Sequence, residues 1–333
     1  MVMYEMMLNK TILIFGGSGS WGRELTRQLL EKNPKKIIIF SRGEIMQVEM
    51  ERSFNDDRIQ YVIGDIRDEK AIDQVFNIGI DYVFQLAALK HVPICENQPR
   101  EAIKTNIIGV QNVIDAAIKY KVKKFIDVST DKAADPSNLY GMTKAIGERL
   151  TIQANCLTKD TDFICIRAGN VIGTNGSLIP YVIDQIKTHN SVEITDTRMT
   201  RFFILVKEAI ELLFFAVDNG VGGETYIMNM PSFYIKDIIS VLVKYYGNKK
   251  TKIRETGIRE GEKLHESLIS ETERKRTHYI NGNYHVVTPE LKTGREYSNI
   301  EKPVKIGHLM SSDIDVSKID DIKAILKKGG WLC

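Results

Sequence analysis

At 333 residues the chain is long enough to bury a sizeable core, either as two domains or as one large α/β domain with an appended lobe. Its 46 lysines and arginines nearly balance 43 aspartates and glutamates, and the formal net charge of +3 gives no electrostatic case for a nucleic-acid or membrane partner. The four cysteines (Cys95, Cys156, Cys165 and Cys333) lie far apart with no CxxC pair, so reduced thiols are expected, with neither disulfides nor metal. The first ten residues carry Glu5 and lack the long apolar run of a secretory leader. No apolar stretch reaches bilayer length, and residues 209–217 read as a buried or amphipathic helix. A soluble, cytoplasmic protein is expected.

Residues 10–15 form a compact apolar run expected to be a β-strand. Gly16-Gly17-Ser18-Gly19-Ser20-Trp21-Gly22 follows directly, and a helical pattern runs from Arg23 to about Glu31. Strand, glycine turn and helix is the setting in which such a loop holds a dinucleotide. Gly16 permits the tight turn, Gly19 the approach of backbone to a pyrophosphate, and Gly22 close packing of helix on strand. Unpaired amides at the helix start, around Ser18, Ser20 and Trp21, suit phosphates. A second strand, 36–40, ends at Ser41-Arg42, about twenty residues beyond the glycines, where an NAD site usually carries an acid. A hydroxyl and a guanidinium suit a 2′-phosphate instead, so NADP is expected over NAD, although Glu44 nearby argues the other way.

Residues 59–63 read as the third strand, followed by Gly64-Asp65-Ile66. Asp65 either accepts from an adenine amine or caps the next helix. The fourth strand, 81–86, is closed by Ala87-Ala88-Leu89, where small residues let a cofactor ribose lie against the backbone. Lys90-His91-Val92-Pro93 reads as a loop, in which His91 is either a substrate ligand or a packed histidine, and a helix starts at Pro99. With 124–128 as the fifth strand, strands and helices alternate five times before residue 130. That alternation predicts a parallel, doubly wound sheet with these loops at its carboxyl edge.

Ser129-Thr130-Asp131-Lys132 leads into a helical pattern that continues to about Cys156. Tyr140 and Lys144, four apart, share one helix face. A lysine under a phenol favours the phenolate, and a tyrosine of lowered pKa can take a proton from a sugar hydroxyl near neutral pH. Thr130 can hydrogen-bond the same hydroxyl, and Asp131-Lys132 sets an acid beside an amine. After a sixth strand, 162–167, the βα rhythm breaks at Gly169-Asn170-Val171-Ile172-Gly173, with Ser177 in the irregular region beyond. The polar loops 195–201, with Thr195, Met199 and Arg201, and 257–266, with Arg259 and Glu262, carry arginines of the kind a nucleotide diphosphate needs; solvated charged loops are the plain alternative. The tail from Arg274 is polar, with a short helix expected from Ser317, as N-cap, to Leu326.

Taken together, the glycine loop, Leu89-Lys90-His91-Val92-Pro93, Ser129-Thr130-Asp131-Lys132-Ala133, Tyr140-Gly141-Met142-Thr143-Lys144, Gly169-Asn170-Val171-Ile172-Gly173, Thr195-Asp196-Thr197-Arg198-Met199-Thr200-Arg201-Phe202 and Gly261-Glu262-Lys263-Leu264-His265-Glu266 appear in one order. The chain resembles the extended short-chain dehydrogenase/reductases, and within them the inverting UDP-N-acetylglucosamine 4,6-dehydratases of pseudaminic acid biosynthesis, over roughly residues 8 to 300. Asp131-Lys132 and the late 261–266 motif are the specific parts. Dehydratases that retain the C5 configuration carry Thr-Asp-Glu where this chain has Thr130-Asp131-Lys132. Ala168, where relatives often have an aromatic residue, and Glu260, where they often have proline, depart from the pattern.

The resemblance implies an α/β, Rossmann-like domain over 8–168 that binds NADP and carries the catalytic residues. Residues 169–333 are then mainly a smaller substrate-binding lobe, with some chain returning to the first domain. It implies a homo-oligomer, dimer or hexamer, acting on UDP-N-acetylglucosamine or a derived UDP-sugar. Thr130, Asp131, Lys132, Tyr140 and Lys144 would be catalytic. Gly16, Ser18, Gly19, Ser20, Trp21, Gly22, Ser41, Arg42, Asp65, Ile66, Leu86, Ala87, Ala88 and Lys90 would hold the cofactor with Tyr140 and Lys144. Lys90, His91, Asn170, Ser177, Thr195, Met199, Arg201, Arg259 and Glu262 would hold substrate. Tyr140 would take the O4 proton as C4 is oxidised, neutral Lys132 the C5 proton, and protonated Asp131 would deliver to the leaving O6. A free lysine titrates near about 10.4, so this scheme expects a strongly lowered Lys132 and a raised Asp131. A partial-reaction homologue that makes or processes the 5,6-ene, a nucleotide-sugar epimerase, and a non-catalytic NADP-binding sensor or scaffold are the other readings.

Overall fold

The computed structural model describes residues 5–332, apart from 175, 281–282, 298–299, 301–308 and 314–317. The first half is built by alternation: β1 (Thr11–Phe15), α1 (Ser20–Leu30), β2 (Lys36–Ser41), α2 (Glu44–Phe54), β3 (Ile59–Ile63), α3 (Glu69–Phe76) and β4 (Tyr82–Gln85). All five residues of β1 are buried, as a strand covered on both faces requires. Helix α1 begins at Ser20 rather than Arg23, because its N-cap is Gly19, which has no side chain to announce it. Asp68, not Asp65, caps α3, accepting from the amides of Lys70 and Ala71.

The expected loop around Val92 is instead a helix, α4 (Val92–Asn97), with Pro93 in its first turn, where a missing amide is harmless. Pro99 opens α5 (Pro99–Ile103), a π-helical turn follows at Lys104–Gly109, and α6 (Val110–Lys119) completes the segment. Then come β5 (Lys124–Thr130), α7 (Leu139–Ala154) and β6 (Asp162–Ala168).

The second half is more broken: β7 (Asn170–Ile172), α8 (Leu178–His189), β8 (Ser191–Ile194), β9 (Thr200–Leu205), α9 (Val206–Asn219), β10 (Thr225–Met228), β11 (Ser232–Tyr234), α10 (Ile235–Tyr246) and β12 (Lys252–Glu255). Strands β13 (Thr277–Ile280) and β14 (Tyr284–Val287) and helix α11 (Ile319–Lys328) close it. Thr200 and Arg201, expected in a polar loop, belong to β9. The two last strands stand where a polar tail was expected. Ser317 and Cys333 lie outside the described residues; Cys95, Cys156 and Cys165 are free thiols.

One sheet of nine strands, in the order β13-β14-β10-β6-β5-β4-β1-β2-β3, organises the molecule. From β10 to β3 every neighbouring pair is parallel; β14 alone among these strands runs the other way, pairing antiparallel with β10 on one side and with β13 on the other. The strand order reverses between β1 and β4, which opens a crevice at their carboxyl ends. Apolar side chains fill both faces of this sheet, and a third core, around Ile183, Phe203, Phe233 and Leu242, is built by α8, β9, β11 and α10. The fold is a Rossmann-like parallel sheet with helices. No helix among the described residues is long and apolar enough to cross a membrane.

Candidate active site

A cleft of about 1090 Å³ opens at the β1/β4 switch point. Gly16, Ser18, Gly19, Ser20 and Trp21 form one wall, with Ser41 and Arg42 at the end of β2 and Asp65 and Ile66 after β3. Leu86, Ala87, Ala88, Lys90 and His91 lead away from β4. Gly16 sits at φ +72°, and a Cβ there would come within 2.9 Å of the Ala87 backbone. Gly22 lies outside the cleft but underpins it, since its Cβ would fall 2.1 Å from the Gly17 carbonyl oxygen. No side chain caps the start of α1, which leaves the positive end of the helix turned to an anion. The hydroxyls of Thr105 and Ser129, both on the cleft wall, are buried with no partner among the described residues. These features fit a bound dinucleotide.

Ser41 is more constrained than its position suggests. Its hydroxyl is 2.9 Å from that of Ser18 and accepts from the Gln47 amide at 2.8 Å. Arg42 is exposed, with only a 3.9 Å approach to Asp65. Asp65 itself is gripped by Arg67 at 2.6 and 2.9 Å, which holds its carboxyl below the usual range against the effect of burial.

The chemistry-bearing wall comes from β5 and α7. Asn138 caps α7 by accepting the Gly141 amide at 2.9 Å, which fixes the first turn and Tyr140 within it. A Cβ on Gly141 would lie 2.3 Å from the Lys132 carbonyl oxygen, so only glycine lets the Tyr140 turn pack against Lys132. Thr130, Lys132, Tyr140 and Lys144 line the cleft together. The Thr130 hydroxyl donates to Asp131 Oδ1 at 3.0 Å and lines the cleft beside the Tyr140 phenol. Asp131 is 1 % exposed and lies behind the wall, with Oδ1 3.0 Å from Lys132 Nζ.

Two carboxylates that sequence spacing did not single out complete this wall. Asp127, fully buried on β5, holds Lys144 Nζ at 3.3 Å from each oxygen. Glu266, 2 % exposed, lies 3.3 Å from Lys132 Nζ. Both change the expected electrostatics. Burial pulls the Lys132 ammonium down, but Asp131 and Glu266 outweigh it and leave its pKa raised, not lowered. Tyr140 is raised as well: burial exceeds the help of Lys144 and Lys132. Burial pushes Asp127 up to about 6 in spite of Lys144.

The remaining expected residues divide. Asn170 and Ser177 line the cleft, and the Ser177 hydroxyl, at the N-cap of α8, is buried without a partner. Thr195, Met199, Arg201, Arg259 and Glu262 do not reach the cleft wall. The Thr195 hydroxyl turns to the Met199 sulfur, and Arg201 spends its guanidinium on the carbonyls of Thr200, Lys263 and Leu264. Arg259 and Glu262 approach each other on an outer loop. Among the described residues no cluster of side chains could hold a metal ion.

Residues 12–288 match the model of a family described as polysaccharide biosynthesis protein. The chain belongs to this family. It is an extended short-chain dehydrogenase/reductase, as its glycine loop, sheet order and Tyr140/Lys144 pair indicate. A relative from Campylobacter jejuni serotype O:23/36, named UDP-N-acetylglucosamine 4,6-dehydratase (inverting), is 40% identical over 92% of this chain and 94% of its own. Another from Rickettsia felis, named UDP-glucose 4-epimerase, is 38% identical over 84% of each. The crystal structure of Pen from Bacillus thuringiensis superposes with a TM-score of 0.91 at 35% identity, over 98% of this chain and 99% of that one.

Proposed function

We propose that this protein is a C5-inverting UDP-N-acetylglucosamine 4,6-dehydratase that forms UDP-2-acetamido-2,6-dideoxy-β-L-arabino-hex-4-ulose for pseudaminic acid biosynthesis. The observation that carries the reading is the amine of Lys132 on the cleft wall beside Tyr140, with the Asp131 carboxylate 3.0 Å behind it. When bound, the nicotinamide supplies reversible oxidation at C4 of the sugar. Tyr140, oriented by Thr130 and faced by the charge of Lys144, takes the proton from O4. Lys132 passes a proton to Asp131 across their contact, which makes the neutral amine that removes the C5 proton. Asp131, behind the wall, then returns that proton to O6 through the cleft-lining Thr130 hydroxyl 3.0 Å away, which gives up its own proton as it takes the one from Asp131. Because Asp131 and Glu266 raise the lysine against burial, the neutral amine forms by this transfer inside the site rather than by loss of a proton to solvent. The uncapped start of α8, with its unpartnered Ser177 hydroxyl, suits the diphosphate, and Lys90, His91 and Asn170 line the route to it.

The test is incubation with UDP-N-acetylglucosamine and NADP in deuterated water. A product lighter by one water, with deuterium at C5 and inverted configuration there, is expected. Unchanged mass would favour the epimerase reading, which the Rickettsia relatives' name supports but for which an acid at O6 has no use. A 5,6-ene product would mark a half-reaction enzyme.

NADP is the proposed cofactor on the strength of Arg42. Replacing it with alanine should weaken NADPH binding about 10- to 100-fold, the worth of one charged hydrogen bond, and leave NADH binding nearly unchanged. Titration of the bound cofactor's fluorescence measures both; equal losses would exclude a 2′-phosphate contact. Self-association is supported by Ile94, Ile103, Ile108, Met142 and Ile146, exposed on neighbouring helices α4 to α7, and light scattering reads it directly.

A further inference from the structure

The late motif Gly261-Glu262-Lys263-Leu264-His265-Glu266 is absorbed by the proposed mechanism nowhere, yet it delivers a buried carboxylate to the back of the site. Glu266 Oε1 is 3.3 Å from Lys132 Nζ, and its other oxygen is buried with no hydrogen-bond partner. Its backbone is pinned from both sides: the Glu266 amide donates to the Ser311 hydroxyl at 2.9 Å, and the Ser311 amide donates to the Glu266 carbonyl at 2.8 Å. The Ser311 hydroxyl in turn meets that of Thr200 at 2.7 Å, and Thr200 meets His265 Nδ1 at 2.8 Å. Beyond Glu266 stands Arg201, its Nε 3.8 Å from Oε1 and its other nitrogens tied to backbone carbonyls. The carboxylate therefore has a fixed place, a cation behind it and the proposed base in front.

We propose that Glu266 is a positioning residue for Lys132, completing an Asp131–Lys132–Glu266 set in which Asp131 exchanges a proton with the amine and Glu266 stays ionised. As Lys132 takes the C5 proton it becomes cationic in a nearly dry site. A fixed carboxylate 3.3 Å away orients the amine and stabilises that charge, as a buried aspartate serves the histidine of a serine-protease triad. The two carboxylates divide the labour by their surroundings. Among the described residues Asp131 pairs with no cation but Lys132, which leaves it to be the proton acceptor. Glu266 is faced by two cations, Lys132 at 3.3 Å and Arg201 at 3.8 Å.

This role rests on the dehydratase reading, and Glu266→Gln tests it, since glutamine keeps the shape and loses the charge. Relative to wild type, kcat for water loss and C5 deuterium uptake should fall about 100-fold, with KM changed by less than about threefold. The alkaline limb of the kcat profile should move to lower pH, because a carboxylate that raises Lys132 has gone. Glu266→Asp should recover part of both. A merely structural residue would lower the melting temperature and leave the limb where it was; that result, or an unaltered rate, overturns the proposal. The pH midpoint of Lys132 acetylation by acetic anhydride, read by mass spectrometry in wild type and Glu266→Gln, needs no turnover. If wild type releases no water, the dehydratase reading falls, while an unmoved midpoint counts against Glu266 by itself.

Discussion

Replacing Lys132 with methionine is expected to stop water loss and C5 deuterium uptake, lowering kcat by about 10³- to 10⁴-fold, while the cofactor still becomes reduced and stays so. The two halves separate because they use different ends of one wall. The O4 proton goes to Tyr140, whose partners are Thr130 and the Lys144–Asp127 pair. The C5 proton goes to Lys132, whose partners are Asp131 and Glu266. Methionine keeps the length of the stem and removes the nitrogen. Lys132→Arg sharpens the test, because a guanidinium keeps both ion pairs but does not deprotonate at these pH values. Both variants should lose elimination to a similar extent if the amine is a base. Activity retained in the arginine variant would instead make Lys132 an electrostatic element, and absorbance of the bound cofactor at saturating sugar nucleotide distinguishes the two within one turnover.

How far the sequence led depends on which contacts are local. Strands β1 to β6 announce themselves by short apolar runs, the first five each followed by helical periodicity, and the sheet order follows from right-handed crossovers. Helix α4 is six residues long with proline at its second position and another just beyond its end, so its composition reads as loop. Strands β13 and β14 sit antiparallel at the sheet edge, where half-polar sequence is tolerated, and are built from residues that look like tail. In the site, Thr130, Lys132, Tyr140 and Lys144 were legible because one strand end and one helix turn carry them. Glu266 was not, because nothing in its own neighbourhood says that Thr200 and Ser311 will bring it to Lys132. Asp127 did leave a trace: a carboxylate inside an otherwise apolar strand has to meet a cation, and Lys144 is the one it meets.

The same principle identifies the residue on which the placement of Glu266 depends structurally. Arg167, 3 % exposed on β6, gives its Nε and Nη2 to Glu148 of α7 at 2.8 and 2.6 Å, and its Nη1 and Nη2 to Glu273 at 2.7 and 2.8 Å. Nη1 also donates to the Leu268 carbonyl at 3.1 Å, two residues beyond Glu266. Arg167→Met should therefore strip buried Glu148 of both guanidinium bonds, leave Glu273 with Ser270 and a 3.8 Å approach of Arg276, and lower stability by about 3–5 kcal/mol, a shift of order 10 °C in Tm. The pH dependence fixes the cause. Burial would raise Glu273, but Arg167 and Ser270 hold it down at about 2. Its contribution is thus present above the ordinary glutamate range and is lost as pH falls from about 4.5 toward 2. In the methionine variant the stranded carboxyls prefer their protonated forms, so the gap between wild type and variant should be widest near neutrality and close as the pH falls below about 4. Converting Glu148 and Glu273 to leucine alongside Arg167→Met should restore most of the melting temperature, since a buried ion cluster replaced whole by apolar side chains is often neutral or better. A gap that stayed constant from neutral to acid would mean that the arginine acts by packing alone, with no electrostatic hold on the segment that carries Glu266.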